Sequence, residues 1–306
     1  MSEQWFFIIN PVSGKGKGLM LWEQVKNRLD QSEVNYSFAV SNYHLHTLEL
    51  VSQKHQEGIR NFIGLGGDGT TNEIVNAIFK SQKFNLDAPS IISLIPVGTG
   101  NDWVRNQVEL NLENLIERIT NKQTKPYDIG LVESENPAIH HYFINVAGAG
   151  LDGKVGKELE ILNKSNKKGK LSYIKSLIKA LLEFEAPSSI ITIDNKLVFD
   201  GSFLVLAASK GQYFGSGMHI SPKAIPDNGV LDITVVKKDS NWVLFPQLYK
   251  LFNGKISTVP FVDKHSHNHV EIATSFPVPI QADGEYLGES QRIKFSVLKH
   301  AILVLA

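Results

Sequence analysis

Short apolar runs, each closed by glycine, asparagine, serine or proline, set the rhythm of the first third of the chain. Trp5 to Ile9, Tyr36 to Val40, Asn61 to Leu65 and Ser90 to Ile95 predict strands; the first, third and fourth are apolar enough to be buried on both faces. Between them, Leu19 to Leu29, His44 to Gln56 and the stretch from about Thr70 through Ile78 carry apolar residues at helical spacing. Repeated strand, loop and helix units predict a parallel sheet with helices on both faces. Ligands of such sheets sit beyond the carboxyl ends of the strands, the edge at which all three glycine-rich loops fall. Leu112 to Thr120 predicts one more helix. From about Tyr127 the pattern changes to apolar runs separated by turn residues, at His141 to Ala147, Ser189 to Ile193, Phe203 to Ser209, Val230 to Val236, His269 to Thr274 and Val278 to Ala282. This predicts an all-β second domain, with an α/β domain over residues 1–127 and the β domain over 128–289.

One stretch departs from that rhythm. Lys154 to Glu185 contains Lys164, Lys167, Lys168 and Lys170, followed by Leu171, Ile174, Leu177, Ile178, Leu181 and Leu182 on one helical face. Two uses are open: a helix covering the β domain with solvated lysines, or a lip that approaches anionic lipid, where each lysine contributes ~1 kcal/mol. His265, His267 and His269 alternate and would share a strand face, a spacing that mimics a metal site. With only Asp263 nearby as a partner, an exposed loop and strand start is expected. The pair His140 and His141 carries no signal.

Composition narrows the function classes. The 306 residues, 42% hydrophobic and 20% charged, leave room for two folded domains. Balanced charge, 31 basic against 31 acidic residues, gives no reason to expect a nucleic-acid partner. The absence of cysteine rules out disulfides, thiolate nucleophiles and Cys-ligated zinc. A reducing cytoplasm is the expected location. No apolar run approaches the ~18 residues of a membrane span, so any membrane contact is expected from the surface.

The richest chemistry lies in Gly66-Gly67-Asp68-Gly69. The three glycines permit positive φ and let a phosphate approach the backbone, and a helix starting near Thr70 would aim free amides and its dipole there. Asp68 would repel that polyanion unless a cation lay between them, so the inferred ligand is a nucleotide with Mg²⁺. The other use is a turn kept for chain geometry, with Asp68 as an N-cap. Asn10 to Gly18 is again strand, glycine loop and helix. It lacks the Gly-Lys-Ser/Thr of a Walker A loop, which leaves a phosphate loop or solvated Lys15 and Lys17 equally open.

Asn10-Pro11 with Ser13-Gly14, then Gly66-Gly67-Asp68-Gly69-Thr70 with Asn72-Glu73, then Pro96-Val97-Gly98-Thr99-Gly100-Asn101-Asp102 resemble, in order and spacing, the catalytic domain of the diacylglycerol kinase and sphingosine kinase family. The bacterial soluble lipid kinases match most closely in layout. Asp128-Ile129-Gly130, Asn145 to Asp152, Asp227-Asn228-Gly229 and Asp283-Gly284-Glu285 extend the resemblance over nearly the whole chain. It implies a NAD-kinase-like α/β domain and a β-sandwich, with the last strands, about residues 290–306, returning to the first domain. It implies ATP held by Asn10, Pro11, Val12, Ser13, Gly14, Ser41, Gly66, Gly67, Asp68, Gly69, Thr70, Thr71, Asn72, Glu73 and Thr99. Asp68 and Asp128 would hold the nucleotide's Mg²⁺, mostly through water. The resemblance also implies a base in Asp283-Gly284-Glu285, across a cleft from the nucleotide, without saying which carboxylate takes the proton. Strand alternation puts Asp283 opposite the apolar face of Val278 to Ala282 and favours it, and an ordinary Asp-Gly hairpin turn is the other use. Finally, it implies a structural Mg²⁺ at Ile225, Asn228 and Val230. Asn228 stands where relatives have a carboxylate and brings no charge, so that site is expected to be weak or absent unless Asp227 or Asp232 compensates.

The expected activity is ATP-dependent transfer of a γ-phosphate to a lipid alcohol such as diacylglycerol, at the inner face of a membrane. The expected partners are that lipid and a second copy of the chain in a homodimer. Two other readings compete: a kinase of a soluble acceptor, as in NAD kinases that share the Gly-Gly-Asp-Gly turn, and a binding module without turnover.

Overall fold

The computed structural model describes residues 4–82, 84–97, 101–106, 110–164, 180, 182–215, 217–239, 247, 250 and 253–306. It divides into one unit of Met1–Ile129 with Lys299–Ala306 and a second of Gly130–Leu298.

In the first unit, strands β1 (Trp5–Ile9), β2 (Tyr36–Val40), β3 (Asn61–Gly66) and β4 (Ile91–Pro96) lie parallel in the order β2, β1, β3, β4. Helices α1 (Lys17–Asp30), α2 (His46–Gln56), α3 (Asp68–Phe79) and α4 (Leu115–Asn121) cover them. The unbroken run in β1 follows from cover on both sides. Trp5, Phe7 and Ile9 pack with Trp22, Val25 and Leu29 of α1 and Leu115 and Ile119 of α4. Phe6 points the other way, edge to face with Phe62 at 6.3 Å, and the His55 ring of α2 lies 6.2 Å from Phe62. Long strand β5 (Thr124–Ser134) leads out of this unit.

The second unit is antiparallel and β-rich. Its strands are β6 (Ile139–Phe143), β7 (Val146–Gly150), β8 (Ser188–Ile193), β9 (Lys196–Ser209), β10 (Tyr213–Phe214), β11 (Met218–His219), β12 (Leu231–Lys237), β13 (Val262–His267), β14 (His269–Ala282) and β15 (Glu285–Leu305), with helix α5 (Leu151–Lys164) after β7. The order β13, β12, β9, β7, β14, β15 brings Phe203, Leu206, Ile233, Ile272, Ile280 and Phe295 into one core. Gly130 is required there, because a Cβ would stand 2.1 Å from the Phe143 ring.

Several elements differ from the sequence pattern. The run His141 to Ala147 is two strands, broken at Ile144 and Asn145. The two strands expected between His269 and Ala282 are one, with a register shift between Ala273 and Val278. The returning segment begins at Lys299 rather than near 290, since β15 runs 21 residues without a turn to mark the change. There Leu303 pairs with Ile91, and the Leu305 N–H bonds Ser93 Oγ at 3.1 Å. Helix α5 starts directly after Gly150 and carries the backbone of Lys164. Lys167, Lys168, Lys170, Leu171, Ile174, Leu177, Ile178 and Leu181 lie outside the described residues; Leu182 is exposed. His265 and His267 belong to β13, but His269 opens β14, so the three do not share a strand face. His267 pairs with Asp194 and His269 with Glu271, and no metal-holding cluster occurs among the described residues. No described helix is long and apolar enough to cross a membrane.

Candidate active site

At the carboxyl ends of β1 to β4 in the first unit, polar residues are tied to one another. Asn10 donates its backbone N–H to Leu65 O at 2.9 Å and its side-chain amide to Thr70 Oγ1 at 3.4 Å. Its Oδ1 accepts the Val12 N–H at 3.2 Å, and its carbonyl accepts the Ser13 N–H at 3.3 Å. Within the expected amide cradle over Asn10 to Gly14, the Asn10, Val12 and Ser13 donors close the turn and Pro11 has none. Ser41 is similarly committed, since its N–H and hydroxyl both reach Ile9 O. Lys15 and Lys17 are exposed.

The Gly66 to Glu73 segment divides by role. None of Gly66, Gly67 and Gly69 takes a positive φ, contrary to the reason the sequence suggested. Gly66 is needed for close packing, as a Cβ there would meet Thr70 Oγ1 at 2.2 Å. Gly67 caps α3 in extended conformation, φ −129°, and among the described residues a Cβ on it would meet only Asn101 Oδ1, at 3.5 Å, while one on Gly69 would meet none of them within 4 Å. An anion can approach the helix terminus at these two residues. The helix begins at Asp68, two residues earlier than expected, so Asp68 is its first residue and not its N-cap. Thr70 and Thr71 donate their N–H groups back to Gly67 O, and Thr71 Oγ1 is buried without a partner. Asn72 is buried and accepts from the Asn76 amide. Glu73 turns away to the start of α2, where Leu45 and Leu48 N–H and the Thr47 hydroxyl bond its carboxylate; burial pushes its carboxyl up. It ties α3 to the start of α2. Thr99 lies outside the described residues.

The Asp68 carboxylate accepts the Asp102 N–H on Oδ2 at 2.9 Å and the Trp103 N–H on Oδ1 at 3.0 Å. Burial pushes this carboxyl up, and the N–H groups of Trp103, Asp102 and Asp68 itself, with the Arg105 charge, pull it partway back. The residue is only partly buried, so Asp68 fits a cation held through water. Asp128 does not: it is fully buried in β5, and its Oδ1 accepts the His300 N–H at 2.8 Å. It fastens the returning strand.

The second unit carries the other carboxylates. Asp283 accepts three backbone donors, Ile144 N–H on Oδ2 at 2.8 Å and Asn145 and Val146 N–H on Oδ1 at 3.0 Å each. These bonds make the bend that splits β6 from β7. Asp283 itself has φ 48°, continued by Gly284 at φ 87°. Gln281 receives the Gly284 N–H on Oε1 at 2.9 Å and donates its amide to Asp152 Oδ2. Asp152 is buried, and its carboxyl is pushed up to about 6. Glu285 differs from Asp283: its side chain is 46% exposed, with His141 Nε2 3.8 Å from its carboxylate. The sequence preference for Asp283 rests on alternation along β14, which shows its direction but not the three amides waiting there.

The residues expected to hold structural Mg²⁺ do converge, but on a lysine. Lys210, 1% exposed, places Nζ 2.9 Å from Ile225 O, 2.9 Å from Asn228 Oδ1 and 2.7 Å from Val230 O. A metal does not fit where an ammonium already sits among its ligands. Sequence reasoning passed over Lys210, Asp152, Gln281 and His141. A lysine closing the apolar strand β9, opposite an asparagine in place of a carboxylate, was the available signal.

Comparison with known proteins gives two family matches: the diacylglycerol kinase catalytic domain over residues 4–132, and the YegS C-terminal NAD kinase beta sandwich-like domain over residues 145–306, just over half of the chain. The chain is 26% identical to the diacylglycerol kinase of Bacillus subtilis over 292 residues, covering 92% of this chain and 89% of that one. It is 28% identical over 260 residues to a probable YegS-like lipid kinase of Shewanella frigidimarina, covering 83% and 79% respectively. The crystal structure of a diacylglycerol kinase from Bacillus anthracis matches with TM-score 0.73 at 20% identity, covering 99% of this chain and 96% of that one.

Proposed function

Because this chain belongs to the diacylglycerol kinase catalytic-domain family and carries its YegS-type C-terminal domain, a lipid kinase architecture, we propose that it moves the γ-phosphate of ATP to the hydroxyl of a lipid alcohol, diacylglycerol first among them. The observation that carries this reading is the unequal use of two neighbouring carboxylates. Asp283 is committed to three backbone donors, while Glu285 stands exposed beside His141, as a proton acceptor must. The ATP phosphates would lie at the start of α3, near Gly67 and Gly69, where the helix dipole favours an anion and no described residue crowds Gly69. Mg²⁺ bound with the nucleotide would spread the developing phosphate charge, and Asp68 would hold it through water. Glu285 takes the hydroxyl proton as the acceptor oxygen bonds to phosphorus and ADP leaves. Asp283, Gln281 and Asp152 position the turn that carries it.

Such an acceptor is met at a membrane surface, so the assay presents it in mixed micelles. The protein is incubated with Mg-ATP and diacylglycerol, other lipid alcohols or NAD, and the phosphorylated product is identified. Phosphorylated diacylglycerol is the expected result. Phosphorylated NAD alone would move the protein to a soluble acceptor, and nucleotide binding with no transfer to any acceptor would make it a binding module.

A further inference from the structure

Lys210 is a charged side chain in the interior of the second unit, and its surroundings are those of a bound cation. It follows β9 directly, and its backbone is fixed: Lys210 N–H and Gly211 N–H both bond Asn145 O, at 2.8 and 2.9 Å. From there the side chain reaches under the turn that opens β12. Ile225 O, Asn228 Oδ1 and Val230 O surround Nζ at 2.7 to 2.9 Å, ordinary lengths for a charge-assisted hydrogen bond. An ammonium offers three N–H donors, and three oxygens receive them. The turn is built to aim them: Gly229 takes φ 78°, and Asn228 Oδ1 also accepts the Val230 N–H at 3.1 Å, which pins the side chain.

Carbonyl and amide oxygens converging on one point are also the donor set of a hard metal ion, which would draw them to ~2.0–2.6 Å. The ammonium and a metal cannot share that point, because they need the same space and repel. We infer that Lys210 is a built-in cation: it gives the Ile225 to Val230 turn the positive charge that a bound metal would otherwise supply, so this unit holds its shape without a divalent ion there. The same cage becomes a metal site once the lysine is removed and Asn228 is given a charge. This inference is independent of the kinase reading.

The test uses thermal midpoints of the full chain, without nucleotide, in EDTA and in Mg²⁺ or Ca²⁺. The wild type is expected to melt within about 1 °C in chelator and in metal, because its site is filled by the chain itself. Lys210→Met keeps the bulk and loses the charge, and it should melt lower than wild type in every buffer without responding to metal. Lys210→Ala with Asn228→Asp should melt low in EDTA and recover by about 5 to 10 °C at a hundredfold excess of metal over its dissociation constant. Titration calorimetry should count one ion per chain for this variant. A wild type that loses several degrees in EDTA, a Lys210→Met protein as stable as wild type, or a folded double variant indifferent to metal would each overturn the inference. If the double variant does not fold, the wild-type and Lys210→Met arms decide the question.

Discussion

Asp68 and Asp283 look alike in the sequence, each a carboxylate beside glycine at the end of an apolar strand, yet the two units use them differently. Asp68 takes two backbone donors from a segment 34 to 35 residues away and a third from its own N–H. Asp283 takes three donors, from a bend 137 to 139 residues away, and so determines where β6 ends and β7 begins. What separates the two carboxylates is what their donors build: a turn beside the first residue of α3 at Asp68, and the break between two strands at Asp283. Asp68 retains capacity for a hydrated cation. Asp283 is a fastener, and the base proposed above is Glu285.

The sharpest way to break this comparison is truncation of both aspartates. Asp283→Ala leaves three N–H groups of the buried residues Ile144, Asn145 and Val146 without their acceptor, and should cost about 3 to 5 kcal/mol. Asp68→Ala removes two bonds at a partly exposed turn and should cost about 1 to 3 kcal/mol. Urea denaturation of both variants measures the order. A larger loss at Asp68 would reverse the assignment of roles.

The same contrast explains what the sequence could and could not reveal. β1 and β2 were legible to the residue, because each is a short apolar run closed by polar turn residues, although only β1 is covered on both faces. The break between β6 and β7 was hidden inside a continuous apolar run; its cause is a carboxylate far along the chain. Ser275 to Pro277 read as a turn, but β14 passes through them with a shift in register. The glycine motif was found for the wrong conformational reason: Gly66 answers to the Thr70 side chain, a contact that no spacing encodes. Lys210 left only the weak signal of a lysine closing an apolar strand, because a lysine ordinarily marks a surface.

Asp152 sharpens the account of how the Asp283 turn is held. Its carboxyl, at about 6 in the folded protein against an ordinary 3.8, keeps its proton where the unfolded chain has lost it. Stability contributed by this group is therefore greatest below pH ~4, falls as pH rises from about 4 to 6, and stays low above. Asp152→Asn should match wild type near pH 4 and exceed it by up to about 3 kcal/mol at pH 8. Denaturant midpoints across that range test this. A deficit in the variant at pH 8 as large as at pH 4 would mean that the carboxylate is held as an anion.

A smaller effect distinguishes the glycines around Asp68. Gly66→Ala forces a methyl against Thr70 and should destabilise by about 1 to 3 kcal/mol. Gly69→Ala meets no atom of the described residues within 4 Å and lies in α3, so it should stabilise by up to about 1 kcal/mol while raising KM for ATP. Melting curves and ATP titrations of the two variants check the opposition; an unchanged KM in Gly69→Ala would remove the phosphates from that helix end.

The central claim is the division of labour between Asp283 and Glu285, and kcat of Glu285→Gln with ATP and diacylglycerol tests it most directly. The exposed glutamine keeps the shape of the turn and loses the base. A fall in kcat of about 100-fold or more, with the thermal midpoint and KM for ATP near wild type, is the predicted result. A kcat near wild type in that folded variant would contradict the claim and take Glu285 out of the chemistry.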